Sequence, residues 1–474
     1  MKKGGIDMST FGIIVSTRGF FPASLAEKGR KQILRKIENL GHKFVILPEE
    51  ETRYGAVETF EDAQKYAKLF SSYRDCIDGI IVILPNFGDE VSVASTINMA
   101  QLEVPVLVQA CDDRLDKMDL SNRRDAFCGK ISVCNNLRQY NIKYTDTSQH
   151  TCDIDSEAFT SDIDFFSRVC SVVRGLQNTR IGVIGTRPGP FQTVRFSEKL
   201  LQASGITTCV VDMSEIIFAA KGMGNNSDVS ERVAEIKRYG KIPAFIREEN
   251  IVKQAKLSLV IEKWLADNRC VASAIQCWSS LQENYGCASC LTMSLMSEKG
   301  MPSACEADVM GALTMYSQYL ASGKPSGYLD WNNNYNDERD KCINTHCSSF
   351  PTSFFAGDFE ISNLDVLGNT LGHDRCFGAC KGNIAPGEMT FAKITTDDTA
   401  GKIKAYVGEG EFTNDPAKLA GGIAVCSIKN LQALLKYICK NGFEHHVAMN
   451  RSRCADVLEE AFRNYMGWDV YKHM

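Results

Sequence analysis

The sequence predicts an α/β protein built from two doubly wound parallel-sheet lobes in tandem, followed by a β-rich, barrel-like C-terminal domain. Three observations predict it. Apolar, strand-like runs alternate with amphipathic helical patterns; that alternation is given twice, on either side of a stretch rich in Asp, Ser and Thr at about 144–164; and after Gly323-Lys324-Pro325 it changes to short alternating segments divided by Gly and Asn. The expected domains are 1–165, 166–325 and 326–474.

In the first lobe the strands are read at FGIIVS (11–16), FVILP (44–48), IDGIIVIL (77–84) and VPVLVQA (104–110), with KGRKQILRKIENLG and a polar helix between them. Such apolar runs suit strands buried on both faces. The second lobe repeats the design with RIGVIGT (180–186), a helix, ITTCVVDM (206–213), KLSLVIEKWLAD, VASAIQC (271–277) and the element around Glu306. MTFAKITT, KIKAYVGEGEF and GGIAVCSI then suggest antiparallel strands of a small barrel or sandwich, and the periodicity of NLQALLKYICKNG and CADVLEEAFRNYMG restores two helices near the end.

With 474 residues, 44% of them hydrophobic, the chain is long enough for several cores, and a net charge of -5 with interspersed signs offers no basic stripe for nucleic acid and no polybasic membrane anchor. No apolar run approaches the roughly 20 residues of a membrane span, and MKKGGIDMST turns polar after two lysines, so a cytoplasmic protein is expected. The 19 cysteines are odd in number and lie mostly in apolar runs, which reads as reduced core thiols.

Ligands of open parallel sheets bind beyond the carboxyl ends of the strands. The loops there carry Thr17, Arg18, Asn86, Gln109 and Asp112 in the first lobe and Arg187, Gln276 and Trp278 in the second. Donors beside aromatic rings suit a polyhydroxylated ligand, whose hydroxyls need partners and whose C–H faces stack on rings. Gly182 and Gly185, with Asp212 ending a later strand, match a dinucleotide fingerprint only weakly, since Thr186-Arg187-Pro188-Gly189-Pro190 stiffens the turn and removes N–H donors. Cys287 and Cys290, and the group His373, Cys376 and Cys380, have no matching second half for a structural zinc site.

The most informative residues are Glu306, Asp330 and His346, with the pair His445 and His446 further on. Two acids and an imidazole meeting at one point make a hard-to-borderline divalent site that suits Mn²⁺ or Mg²⁺ and can grip vicinal sugar oxygens. Glu306 follows a Gly-Pro turn and is expected in the first turn of a helix; Asp330 precedes Trp331 and an Asn-rich turn; His346 ends a short apolar run. Taken singly, each has an ordinary reading as a dipole partner, a cap or a core histidine.

CWSSLQENYGCASCLTMSLMSEKGMPSACEADVMGALTM, with YLDWNNNYND, INTHCSS, GFEHHVAM, the RPGPF turn and GNIAPGEMTFAKI, resembles the L-fucose isomerase and L-arabinose isomerase superfamily. The resemblance implies three domains and a homotrimer or homohexamer in which the first lobe completes a neighbour's pocket. It implies Glu306 and Asp330 as the metal-binding catalytic carboxylates, with a spacing closer to the fucose-type enzymes, His446 as the C-terminal metal histidine and His346 as the extra histidine of the arabinose type. Mn²⁺ is the expected metal, with Mg²⁺ or Co²⁺ as substitutes. Arg18, Asn86, Gln109, Arg187, Gln276, Trp278, Trp331 and His445 are the candidates for the sugar. The implied reaction interconverts an aldose and a ketose through a metal-chelated cis-enediol, one carboxylate taking the C2 proton and the other serving O1 or O2. The expected substrate is a deoxy or otherwise 6-substituted hexose or a related pentose. An anionic sugar such as sulfoquinovose is the alternative that Arg18, Arg187 and Arg375 favour; a non-catalytic sugar-binding protein is more distant. His346-Cys347-Ser348 departs from the His-Cys-Gly common among related sequences.

Overall fold

In the computed structural model, residues 8–346 and 348–474 are described; the lysine-bearing N-terminus and Cys347 lie outside the described residues. The chain divides into two compact units, Met1–Arg174 with Arg463–Gly467, and Gly175–Phe462 with Trp468–Met474.

The first unit is organised by a parallel sheet of β1 (Thr10–Val15), β2 (Lys43–Val45), β3 (Gly79–Leu84), β4 (Val106–Ala110) and β5 (Thr145–Asp146), in the order β2-β1-β3-β4-β5. Every residue of β3, GIIVIL, is buried, as a strand covered on both faces requires. Side chains alternate between two cores: Ile80, Val82 and Leu84 join one, Ile81 and Ile83 the other.

The second unit holds two sheets. The smaller is parallel, with β6 (Thr179–Ile184), β7 (Ile206–Val211), β8 (Ala272–Ile275) and β9 (Ser303–Ala304) in the order β7-β6-β8-β9. The larger contains β10 (Ser326–Asp330), β11 (Asn333–Tyr335), β12 (Glu338–His346), β13 (Glu360–Asn363), β14 (Phe377–Asn383), β15 (Gly387–Asp397), β16 (Lys402–Phe412), β17 (Gly422–Ser427), β18 (His446–Asn450) and β19 (Asp469–Lys472). Its path runs β10-β18-β15-β16-β17-β12-β11, mostly antiparallel, with β14 and β19 added in parallel. Among the described residues this sheet does not close: β10 and β11 end the path, so the barrel-like expectation gives way to an open sheet.

The helix Val309–Ser322 joins the two sheets of this unit, packing on β8 and β9 on one side and on β10, β15 and β18 on the other. Gln318, fully buried, fastens it by donating to the carbonyls of Thr390 and Ala448. Asp308 caps its N-terminus, Oδ1 accepting from the Gly311 backbone N–H at 2.8 Å. Gly311 admits the ring of Tyr328 directly against the helix, where any Cβ would collide with the phenol. Gly311→Ala should therefore displace Tyr328 and cost about 1–3 kcal/mol of stability, the usual range for overpacking, read as a lowered denaturation midpoint. An unchanged midpoint would show that the ring yields freely.

Candidate metal centre and active site

Glu306 comes to the site from the carboxyl end of β9. It is not in the first turn of the following helix, as its sequence context suggested, because the helix starts only at Val309 and the chain first makes a left-handed turn, with φ of 61° at Glu306 and 55° at Ala307. Two consecutive non-glycine residues in this region are strained, by roughly 1–3 kcal/mol each, and persist only where neighbours hold them. The Ala307 N–H donates to the carbonyl of Ile275, which ties the turn to the end of β8.

Asp330 and His446 are placed by strand register. Asp330 ends β10, His446 begins β18, and the antiparallel ladder sets them opposite each other. A slip of one residue would turn either side chain to the far face. His346 ends β12, and Asn344 two residues earlier donates to the Asp330 carbonyl at 2.7 Å, fixing the two strand ends together.

The ligand atoms converge. Those of Glu306, His346 and His446 all lie within 4.8 Å of one another, and so do those of Asp330, His445 and His446. Asp330 Oδ1 is 3.6 Å from His446 Nε2, 3.9 Å from His346 Nε2 and 4.0 Å from His445 Nε2. The imidazoles of His346 and His446 stack with centroids 5.3 Å apart. Glu306 and His446 are almost wholly buried, whereas the Asp330 side chain keeps 21% exposure, so the site opens on the Asp330 side. A recess of about 180 Å³ there is lined by Asp330, Asn332, Thr345, His346, Asp365 and Lys381.

His446 is oriented by Asp308, a residue not singled out from the sequence. Its Nδ1 lies 2.9 Å from Asp308 Oδ2, and the same oxygen accepts from Lys393 Nζ at 2.6 Å and from the Tyr328 hydroxyl. Burial opposes ionisation of Asp308, but the Lys393 ammonium and His446 outweigh it and hold the carboxyl far below its usual range. For His446, burial disfavours the cation, yet Asp308 and Glu306 together raise its pKa. Burial, then Asp308, pushes the Tyr328 phenol well up, keeping it a donor.

With Nδ1–H given to Asp308, a neutral His446 presents an Nε2 lone pair 3.0 Å from Glu306 Oε2. Those two atoms can share a proton, or face a common cation. Glu306 Oε2, Asp330 Oδ1 and His446 Nε2 are buried atoms with no protein partner beyond the proton that Glu306 and His446 can share, a costly arrangement that a positive ion would relieve. Two carboxylates with imidazole suit a divalent ion of hard-to-borderline character. The described residues thus contain candidate metal-binding groups, and the Asp308 carboxylate behind His446 holds the imidazole as carboxylates commonly hold metal-ligating histidines.

The remaining sequence candidates divide. His445 is half-exposed beside the centre, and burial followed by His446 lowers its pKa. Trp278 packs edge-on to Phe191 at 4.8 Å, and Phe191 reaches His445 at 5.8 Å and His446 at 6.5 Å; Phe191 belongs to the RPGPF turn and was not singled out. Gln276 is engaged locally, accepting from Thr186 N–H and donating to the Trp278 carbonyl. Trp331 donates to the Tyr406 hydroxyl at 3.0 Å and packs toward the core. Arg187 bonds its own turn at Gly189 and lines a separate cleft with Arg195 and Glu444. In the first unit, Arg18 pairs with Glu90 and lies over Phe87, while Asn86 and Gln109, both fully buried, donate to Thr17 and to the Cys152 carbonyl. Asp212 caps a helix through Ser214, a structural use.

The fold sets α/β parallel sheets beside a β-rich C-terminal sheet, and the site gathers carboxylates and imidazoles. Residues 12–177 match the family described as fucose/sulfoquinovose isomerase, N-terminal domain, and residues 344–473 the family described as L-fucose isomerase, C-terminal domain. The chain belongs to this fucose isomerase-like family and is by class an aldose–ketose isomerase acting on a small-molecule sugar. It is 26% identical over 313 residues to a sulfoquinovose isomerase of Alkalicoccus urumqiensis, covering 65% of this chain and 67% of that protein. It is 25% identical over 287 residues to one of Priestia aryabhattai, covering 59% and 61%, so the match spans about three fifths of that relative's length. A solute-binding protein from Burkholderia multivorans aligns at 9% identity over 67% of this chain and 95% of that one with a TM-score of 0.18, too slight a likeness to bear on the fold. No helix among the described residues is long and apolar enough to cross a membrane.

Replacing the orienting carboxylate by an amide, Asp308→Asn, should weaken Mn²⁺ binding by about 10–100-fold in calorimetry, as loss of a partner behind a ligating histidine commonly does. Unchanged affinity would remove Asp308 from the account.

Proposed function

We propose that the protein isomerises a 6-substituted hexose between aldose and ketose, with sulfoquinovose as the first substrate to test and 6-deoxy sugars as the second. The carrying observation is that two buried carboxylate oxygens, Glu306 Oε2 and Asp330 Oδ1, lie 3.0 and 3.6 Å from His446 Nε2, with Asp330 and His346 on the wall of an open recess. The names of the curated relatives support the sulfonated sugar, and the family of the C-terminal segment supports the deoxy one.

Mn²⁺, with Mg²⁺ or Co²⁺ as substitutes, would be held by Glu306, Asp330, His446 and His346, and when bound supplies Lewis-acid polarisation of the sugar's carbonyl and adjacent hydroxyl oxygens. Glu306 Oε1 and Asp330 Oδ2 are the carboxylate oxygens left for proton transfer. One takes the proton from C2 and returns it at C1, and the other moves the hydroxyl proton from O2 to O1, the same two groups running these transfers backwards in the opposite direction. The buried side of the site, where His346 and Tyr328 pack together, keeps out water that would protonate the enediol wrongly. His445, Trp278 and Phe191 offer ring surface for the sugar's C–H face. Lys381, paired with Asp365 at 2.7 Å on the recess wall, is the nearest cationic group lining it and the one suited to an anionic C6 substituent.

The assembly we infer is a homotrimer or homohexamer, in which first-lobe residues such as Arg18 complete a neighbouring subunit's site. A cytoplasmic setting suits buried thiols such as Cys287 and Cys380, whose burial raises their pKa.

Glu306→Gln and Asp330→Asn should each abolish turnover while leaving the far-ultraviolet circular dichroism unchanged. NMR of a panel of aldoses, including 6-sulfonated and 6-deoxy hexoses, should show ketose formation with one of these two groups in the presence of Mn²⁺. Near wild-type turnover in either variant would exclude the assigned carboxylates, and an inert panel would exclude the substrate class.

A further inference from the structure

Cys277, Cys305 and Glu306 form a second group whose ligand atoms lie within 4.8 Å of one another, all three buried. The topology explains the meeting. β8 and β9 are adjacent parallel strands in the register Ser273↔Ser303 and Ala274↔Ala304, so the segments leaving their carboxyl ends emerge side by side. Cys277 leaves β8 two residues after Ile275, and Cys305 leaves β9 immediately before the left-handed turn at Glu306. The Cys277 backbone is fixed in place, its carbonyl accepting from Gln282 Nε2 at 2.8 Å.

Two sulfurs beside a carboxylate are a different donor set from the oxygen and nitrogen atoms that Glu306 shares with His346 and His446. Thiolates favour Zn²⁺ and its soft congener Cd²⁺, whereas carboxylate and imidazole without sulfur favour Mn²⁺ and Mg²⁺. Glu306 belongs to both sets, since its ligand atom is also within 4.8 Å of those of His346 and His446. One carboxylate cannot serve both centres with the same oxygens at full strength.

We propose that Cys277, Cys305 and Glu306 form a soft-metal site that takes Zn²⁺ or Cd²⁺ and, by drawing on Glu306, competes with the hard-metal centre next to it. On binding, each thiol gives its proton to solvent and both sulfurs bond the ion as thiolates, so uptake of one Cd²⁺ releases two protons and changes no oxidation state. Inhibition of the enzyme by soft ions then acts through a place of its own as well as by simple exchange at the Mn²⁺ centre. The sharing of Glu306 rests on the metal reading given above; the thiolate site itself does not.

The test is titration of the reduced, full-length protein with Cd²⁺, following the ultraviolet cadmium–thiolate charge-transfer band, with bound Mn²⁺ followed in parallel by electron paramagnetic resonance. The wild type should develop the band with one equivalent of Cd²⁺ and lose its Mn²⁺ signal over the same range. In Cys277→Ser/Cys305→Ser the first-equivalent band should vanish and Cd²⁺ affinity fall at least about 10-fold, as loss of the soft ligands requires, while Mn²⁺ affinity stays within about threefold. Cys277→Ser alone serves if the double variant does not fold, and should show a weakened band. A first-equivalent band that survives in the double variant or is undiminished in Cys277→Ser, or no such band in the wild type, overturns the site. A band that forms without loss of Mn²⁺ overturns the shared carboxylate.

Discussion

Asp308 is a fully buried carboxylate whose charge must be balanced by its protein partners, and the structure is arranged around that constraint. Its side chain and that of Lys393 are both fully buried, 2.6 Å apart, with the Tyr328 hydroxyl and His446 Nδ1 on the same oxygen and the helix N–H of Gly311 on the other. Breaking such a pair by removing one partner typically costs about 3–5 kcal/mol, because the remaining charge stays buried and uncompensated. One carboxylate therefore caps the helix that joins the two sheets, anchors β15 through Lys393 and β10 through Tyr328, and aims the β18 histidine. The same group that holds these elements together also sets the direction of His446 Nε2.

What Asp308 orients, the sheets bring into range. The β10–β18 register sets Asp330 against His446, and the tie from Asn344 to Asp330 draws in the end of β12 with His346. Glu306 arrives from the other sheet through a strained left-handed turn, and its cost is borne by the surrounding packing, consistent with a position kept for chemistry. Buried imidazole and carboxylate acceptors on one side and a partly exposed Asp330 on the other give a centre that is enclosed where the proposed ion would bind and accessible where the proposed sugar would enter.

Much of this was legible in the sequence, for physical reasons. Two-sided burial makes β3 an uninterrupted apolar run, and amphipathic helices between such runs force parallel order, so the lobes could be read directly. Glu306, Asp330, His346 and the His445–His446 pair stood out as metal-ligand types at element ends, and the five fall into two groups that share His446. The misses have one cause, long-range partnership. Nothing local in MTFAKITT says that Lys393 will lie without solvent against Asp308, and Asp308 itself reads as an ordinary helix cap. Phe191 was within the quoted RPGPF turn, but only the fold shows its ring against Trp278 and His445. β10 and β12 were not drawn as strands because SGYLD and ERDKCINTH carry polar residues at the ends that build the site. The barrel-like expectation came from strand spacing, which does not determine whether the last strand pairs with the first.

The central claim is that Glu306, Asp330 and His446, with His346 beside them, surround one divalent ion. Crystals grown with Mn²⁺ and measured at the manganese edge test it most directly. A single strong anomalous peak per chain, within bonding distance of Glu306 Oε2, Asp330 Oδ1 and His446 Nε2, is the predicted result. No peak there, or a peak bound by other residues while these three acceptors stay unfilled, would contradict it.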